Sequence, residues 1–271
     1  MQAAVARFNH SKQYWKALVI LTFLLTLFAW LLNTPPGILG KADAIGYAVC
    51  HRIDLRSFHI GDIQLPLCAR CSGMYLGAML GLSYQWIIGR RRVGMPSWQI
   101  IIPISIFVLL FAVDGLNSFF SLFSNNPGLY QPNNSLRLLT GTGMGIAISV
   151  ALVPAFNATA WKKIDPRPVF LTLRSFLFLL LIAFGLDALI LLDYPVILYP
   201  LSLISVAGVL VLLTMVYSMV VMMVFKAENR STRLSQLTYA ILAGLTVALI
   251  QIGLLDFIRY FFTGTWDGFH I

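Results

Sequence analysis

The run VILYPLSLISVAGVLVLLTMVYSMVVMMVF, Val196–Phe225, contains no charged residue from end to end. A helix needs about 20 predominantly apolar residues to cross the hydrocarbon layer of a bilayer. An uninterrupted apolar run longer than this is read as a membrane span rather than as one face of a soluble helix. Six further segments of similar character lie at roughly 16–33, 68–89, 98–120, 135–156, 168–191 and 236–262. Lipid offers no partner for an unpaired backbone group, and the segments lack the strict alternation of barrel strands, so each is read as a helix. The predicted fold is all-α: a polytopic membrane protein of seven transmembrane helices, forming one domain over 1–271. Connections are short except for 34–67 and 121–134, and none is long enough for a soluble domain.

Composition agrees. The chain is 59% hydrophobic and 11% charged, whereas soluble domains carry about 25% charged residues. The formal charge of +9 does not point to nucleic acid, because no basic stretch is interleaved with aromatics in a polar segment. The basic residues instead flank apolar runs, as orientation in a membrane requires. With the first residues in the cytoplasm, Arg7, Lys12, Lys16, Arg90, Arg91, Arg92, Lys162, Lys163, Arg167, Arg174, Lys226, Arg230 and Arg233 all fall inside. Only Lys41, Arg52, Arg56, Arg70, Arg137 and Arg259 fall outside. The positive-inside rule therefore predicts a cytoplasmic start, an outward end and an extracytoplasmic 34–67 loop. The first span followed by Ala42-Asp43-Ala44 also has the look of a signal peptide with its cleavage site. Its apolar run is too long for that, and an uncleaved helix is the better reading.

The chemistry-bearing side chains are concentrated in one place. All three cysteines, Cys50, Cys68 and Cys71, and two of the four histidines, His51 and His59, fall within 22 positions. Three thiolates and an imidazole form a tetrahedral zinc set, and Cys68-Ala-Arg-Cys71 has the spacing of a knuckle around one ion. The candidate metal ligands are Cys50, Cys68, Cys71 and His59, with His51 as the alternative fourth; adjacent residues rarely aim at one ion, which favours His59. Two other chemistries use the same residues. One is thiol–disulfide exchange by the CxxC, which sits where a helix dipole and Arg70 favour a thiolate. The other is an inert disulfide with one free thiol. Two histidines among an odd number of cysteines place metal first.

Ionisable residues inside the spans form a second group. Asp114, Arg137, Asp187, Asp256 and Arg259 all map to the outer halves of their helices. Charges in a span are costly and normally face an interior partner or a water-filled cavity. A polar chamber beneath the Cys/His loop is therefore predicted, with Asp114 and Arg137 neutralising one another and standing as the catalytic candidates. Arg70, Asp114, Asn117, Asn134 and Arg137 are the candidate substrate-binding residues, and Asp256 can pair with Arg259 at i,i+3. Gly73, Gly77 and Gly81 on one helix, and Gly141 and Gly145 on another, have the spacing of small residues that lets two helices pack closely. Met215, Met219, Met222 and Met223 read as apolar filler. His10 and His270 read as solvated tail residues.

At these positions a resemblance emerges. Cys50-His51, Arg56-Ser57-Phe58, Leu65-Pro66-Leu67-Cys68-Ala69-Arg70-Cys71-Ser72-Gly73, Asp114-Gly115 and Asn134-x-x-Arg137-x-x-Thr140-Gly141 resemble a family of predicted prokaryotic membrane proteins, a domain of unknown function. The resemblance spans about residues 45–155. It implies that the loop and the Asp114 and Arg137 helix ends act as one set, and it implies no activity.

Three function classes follow. The first is an enzyme or binding protein for an anionic small molecule or lipid head group, gripped by Arg137, Arg70 and Arg52 beside the metal. The second is a non-catalytic subunit or scaffold, embedded in the bilayer with other membrane subunits and stapled by a structural zinc. The third, a membrane thiol oxidoreductase, shares only its logic with the vitamin K epoxide reductase type, which has more cysteines and fewer helices. A transporter is disfavoured, because the inner halves hold few charges and no inverted repeat is evident.

Overall fold

A computed structural model of the chain describes residues 2–123 and 128–267; His270 lies outside them. Among these described residues, eight α-helices and four short strands follow in the order α1 (Gln2–Asn33), α2 (Gly37–Val49), β1 (Ser57–Ile60), β2 (Ile63–Cys68), α3 (Ala69–Ile88), β3 (Arg92–Gly94), α4 (Trp98–Phe123), α5 (Asn134–Ala160), β4 (Asp165–Pro168), α6 (Leu173–Ile190), α7 (Pro195–Val224) and α8 (Thr238–Thr263). Among the described residues, six helices are long and apolar enough to cross a membrane: α1, α4, α5, α6, α7 and α8. The other apolar segment forms α3, a helix of 20 residues whose apolar character is diluted by Arg70, Ser72, Ser83 and Gln85.

Burial shows which helices are central. In α5, 67% of the most apolar window is buried inside the protein, against 6% in α1. Leu21, Leu24, Leu25 and Phe28 of α1 are all more than half exposed; in water such a surface would be an aggregation liability, whereas in hydrocarbon it is a lipid contact. The partner of α5 is α3, as the two glycine series predict. A Cβ on Gly73 or Gly77 would overlap the backbone of Leu138 or Thr142, and one on Gly141 or Gly145 would overlap that of Arg70 or Met74. The glycines therefore place the two backbones in direct contact, which orders the start of α3 against the start of α5.

The 34–67 connection is more structured than a loop. Pro35 and Pro36 end the chain's exit from α1, and Pro36 precedes the first turn of α2. Ala42, Ala44, Ile45, Gly46 and Tyr47 of α2 are buried. Gly46 lies against Pro66, where any side chain would collide with the Pro66 carbonyl. After Arg52, which has φ 51°, the chain forms the antiparallel hairpin β1–β2, with Ser57 opposite Cys68 and Ile60 opposite Ile63. Its two-residue turn begins with Gly61 at φ 59°, the conformation that a type II′ hairpin demands of its first central residue. Strand β2 runs directly into α3, so the hairpin and α3 are one continuous support. At the opposite end of the bundle, β3 and β4 pair in parallel.

Candidate functional site

Three element ends meet at the site. Cys50 is the C-terminal cap of α2, and its N–H donates to Gly46 O at 2.8 Å. Cys68 is the N-terminal cap of α3, and Cys71 lies in that helix's first turn. Their three sulfurs all lie within 4.8 Å of one another. The Cys68 N–H donates to Cys50 Sγ at 3.3 Å. On one side the cluster rests on apolar residues, among them Ile45, Leu67, Val206 and Ile252. The Cys50 thiol is pushed up to about 12, foremost by its hydrogen bond to Cys68 and then by burial, with Cys71 opposing. Three thiols this close compete for protons, and a bound cation would remove the competition by replacing them.

The donor set fits a thiophilic ion. Zinc–sulfur bonds of about 2.3 Å in a tetrahedron place sulfurs about 3.8 Å apart, inside the 4.8 Å limit within which these three already lie. The histidines are elsewhere. His59 Nε2 is 2.8 Å from Asp54 Oδ1 on the exposed side of the hairpin, opposite Gln64 and not opposite Cys68. It lies two positions along the strand from Ser57, a displacement of about 6–7 Å. His51 is exposed, and neither histidine joins the group of three sulfurs among the described residues.

Three arginines converge on the other side of the cluster. Arg70 donates from Nε to Asp114 Oδ2 at 3.0 Å, and from Nη2 to the Asp114 carbonyl at 3.0 Å and to Ser118 Oγ at 2.8 Å. It also forms a short ion pair with Asp114 Oδ2. Arg56 donates to Ser118 O at 2.7 Å. Arg137, buried at 6% exposure, donates from Nη1 to Asn134 Oδ1 at 2.9 Å, while its Nε has no hydrogen-bond partner. Arg137 lies within electrostatic reach of Arg56, Arg70, Asp114 and Cys68. The Arg56 guanidinium is drawn below its ordinary value by burial first and by Arg70 next. Three guanidiniums face one carboxylate, which leaves an excess of positive charge beside the sulfurs.

The predicted pairing of Asp114 with Arg137 is replaced by Asp114 with Arg70. Both oxygens of Asp114 are occupied, Oδ2 by Arg70 and by Thr140 Oγ1 at 3.4 Å, Oδ1 by Tyr130 Oη at 2.7 Å. Asp114 therefore orients Arg70 and Tyr130. The Tyr130 phenol is pushed up to about 12, by desolvation first and by this hydrogen bond second, so it stays a donor. Asn117 holds the same segment, donating to Tyr130 O at 2.9 Å and accepting from Leu129 N at 2.8 Å. Asn134 is 3.3 Å from Ser57 O, bridging α5 to the hairpin. Arg52 is engaged with Asp43 Oδ1 at 2.8 Å and with the Trp266 carbonyl at 3.3 Å. Arg56, not placed among the candidate site residues from sequence, stands beside Arg70 and Asp114 where Arg52 was anticipated. The Arg56-Ser57-Phe58 motif was the available signal.

The remaining ionisable residues separate. Arg259 donates to the carbonyls of Tyr47 at 2.6 Å, Cys50 at 2.7 Å and His51 at 3.1 Å. It lies 4.0 Å from the centre of the Tyr47 ring. It thus ties α8 to the Cys50 turn, and the predicted pair with Asp256 is not among the ion pairs of the described residues. Asp187 is buried and accepts from Thr142 Oγ1 at 2.7 Å.

Fold and site together define a polytopic helical membrane protein with a three-cysteine cluster and an adjoining arginine group at one end of the bundle. The chain belongs to the family described as predicted membrane protein (DUF2085), which matches residues 50–151. That interval starts at Cys50 and ends within α5, so it contains the whole sulfur and arginine constellation. An uncharacterized protein of Methanocaldococcus jannaschii is 30% identical over 122 residues, covering 44% of this chain and 71% of the relative. Another, of Methanothermobacter thermautotrophicus, is 30% identical over 102 residues, covering 38% and 82%. No solved structure matches the chain.

Proposed function

We propose that this is a cell-membrane protein of seven spans whose extracytoplasmic end binds one zinc-class ion through Cys50, Cys68 and Cys71, and an anionic phosphate-like group through Arg56, Arg70 and Arg137. The observation that carries this reading is the contact between two unusual clusters. Three sulfurs lie within 4.8 Å of one another, beside three arginines of which Arg70 pairs with the Asp114 carboxylate and Arg56 and Arg137 feel it at longer range. An excess of fixed guanidinium charge in a half-buried site is matched by a phosphate or carboxylate, which guanidinium recognises through paired hydrogen bonds. With three protein ligands, the fourth position of a tetrahedral ion is left for water or for an oxygen of the anion, and a bound ion there would supply Lewis-acid polarisation. Asp114 and Tyr130 position Arg70, Asn134 positions Arg137, and the apolar floor under the cysteines limits water.

The orientation rests on the distribution of basic residues, and α3 is counted as the seventh span because it is 20 residues long and packs against α5. A CxxC whose first cysteine caps a helix also suits thiol exchange, and the test includes that outcome. Protein purified in phosphatidylglycerol nanodiscs is assayed for metal content and for binding of inorganic phosphate. Cys68→Ser is expected to abolish stoichiometric zinc. Arg56→Ala and Arg137→Ala are expected to keep the zinc and weaken phosphate by about tenfold or more, ~1.4 kcal/mol. Zinc with no phosphate binding in the unmodified protein would leave the scaffold reading; a disulfide with no metal would overturn the metal reading and leave thiol exchange or an inert disulfide.

A further inference from the structure

Between α1 and α8 lies a cavity of about 630 Å³, at the same end of the bundle as the cysteines. Its walls include Trp30, Thr34, Phe257, Tyr260 and Trp266, together with the carboxylate of Asp256. Asp256 is only 3% exposed, and neither of its oxygens has a hydrogen-bond partner. The indole N–H of Trp30 is directed at this carboxylate from just outside strict hydrogen-bond geometry, and it is the neutral donor on that side of the cavity. Arg259, one turn away, acts on Asp256 through its charge from a distance, while its Nη groups donate to the carbonyls of Tyr47, Cys50 and His51. A carboxylate in such surroundings is costly unless a cation or a proton joins it.

We propose that this cavity binds an organic ammonium group, with Asp256 as its counter-ion and the aromatic side chains as its walls. Aromatic faces attract ammonium ions through their quadrupoles, most strongly where water is excluded. A hard metal ion would require several more oxygen ligands than this wall supplies. Lys41 refines the class. Its Nζ donates to Leu31 O, to Thr34 Oγ1 at 2.8 Å and to Thr34 O at 3.0 Å, and it lies 5.7 Å from the Trp30 ring centre, so a fixed positive charge stands at the rim and acts on a ligand through its field. An ammonium whose own molecule carries a phosphate a few bonds away meets both charges with the right sign. The ligand chemistry is therefore an aminoalkyl phosphate, borne on a phospholipid head group or free in solution. This site is separate from the proposed metal centre and does not depend on it.

The test uses the full chain in phosphatidylglycerol nanodiscs, read by tryptophan fluorescence. One arm adds phosphatidylethanolamine to the bilayer; the other adds soluble phosphoethanolamine. Saturable binding in the first arm alone assigns the lipid source, and saturable binding in the second assigns the free source. In either case Asp256→Asn, which keeps the shape and removes the charge, is expected to weaken binding at least tenfold while zinc content is unchanged. Trp30→Phe, which keeps the aromatic wall, is expected to weaken it less. Absence of binding in both arms, or equal binding by the unmodified protein and Asp256→Asn, would overturn the proposal.

Discussion

Asp114 is nearly inaccessible, and three different groups converge on it: the Arg70 guanidinium, the Tyr130 hydroxyl and the Thr140 hydroxyl. Removing its charge would leave Arg70 half-buried next to Arg56 and Arg137 with nothing to offset it. Breaking one partner of a buried ion pair costs about 3–5 kcal/mol; Arg70 keeps some access to solvent, so Asp114→Asn is expected to destabilise the protein by about 3 kcal/mol. Thermal unfolding in detergent measures this, and an unchanged transition would show that Asp114 does not organise the arginines. At this scale the sequence was legible in part. The Cys50, Cys68 and Cys71 grouping followed from spacing, because a CxxC at a helix start has few geometric options. The partner of Asp114 was not legible. Asp114, Arg70 and Arg137 lie on three different helices, and their pairing depends on helix rotation, which no residue spacing records. The pairing of Asp256 with Arg259 was allowed by i,i+3 geometry, but three backbone carbonyls at the end of α2 compete for the same guanidinium.

Helices α3 and α5 pack through glycine. A Cβ at Gly145 would lie 2.6 Å from the Ala78 nitrogen, closer than real Cβ atoms come to backbone, whereas one at Gly115 would meet nothing within 4 Å. Overpacking a well-filled contact costs about 1–3 kcal/mol where side chains can yield, and backbone yields less. Gly145→Val is thus expected to lower stability by about 3 kcal/mol or more and to expose the cysteines to alkylation. Gly115→Ala, in a helix interior that favours alanine over glycine, is expected to be neutral or slightly stabilising. The same alkylation and unfolding measurements check both, and equal tolerance would contradict the close contact. The glycine periodicity made this pairing readable, since only small residues allow such an approach. By contrast, α2 and the β1–β2 hairpin were read as loop. Each is too short to show a hydrophobic period of its own, and both are stabilised by tertiary burial against α7 and α8.

Over the whole molecule, one end carries nearly all the buried chemistry. The α1 surface is left to lipid, the α3–α5 pair forms the axis, and the termini of α2, α3, α4, α5 and α8 converge on the cysteines. The family match over residues 50–151 covers this end through α2's cap, the hairpin, α3, α4 and α5. The Arg259 strap that closes it comes from α8, outside the matched interval. That strap fixes the Cys50 carbonyl by hydrogen bonds of 2.6–3.1 Å around one turn, so the protein's own contacts hold Cys50 beside Cys68. The most direct test of the central claim is X-ray absorption at the zinc edge on purified, full-length protein, with elemental analysis of the same sample. The expected result is one zinc per chain with three sulfur neighbours at about 2.3 Å and one oxygen or nitrogen neighbour; a metal-free protein with a disulfide between two of the three cysteines would contradict it.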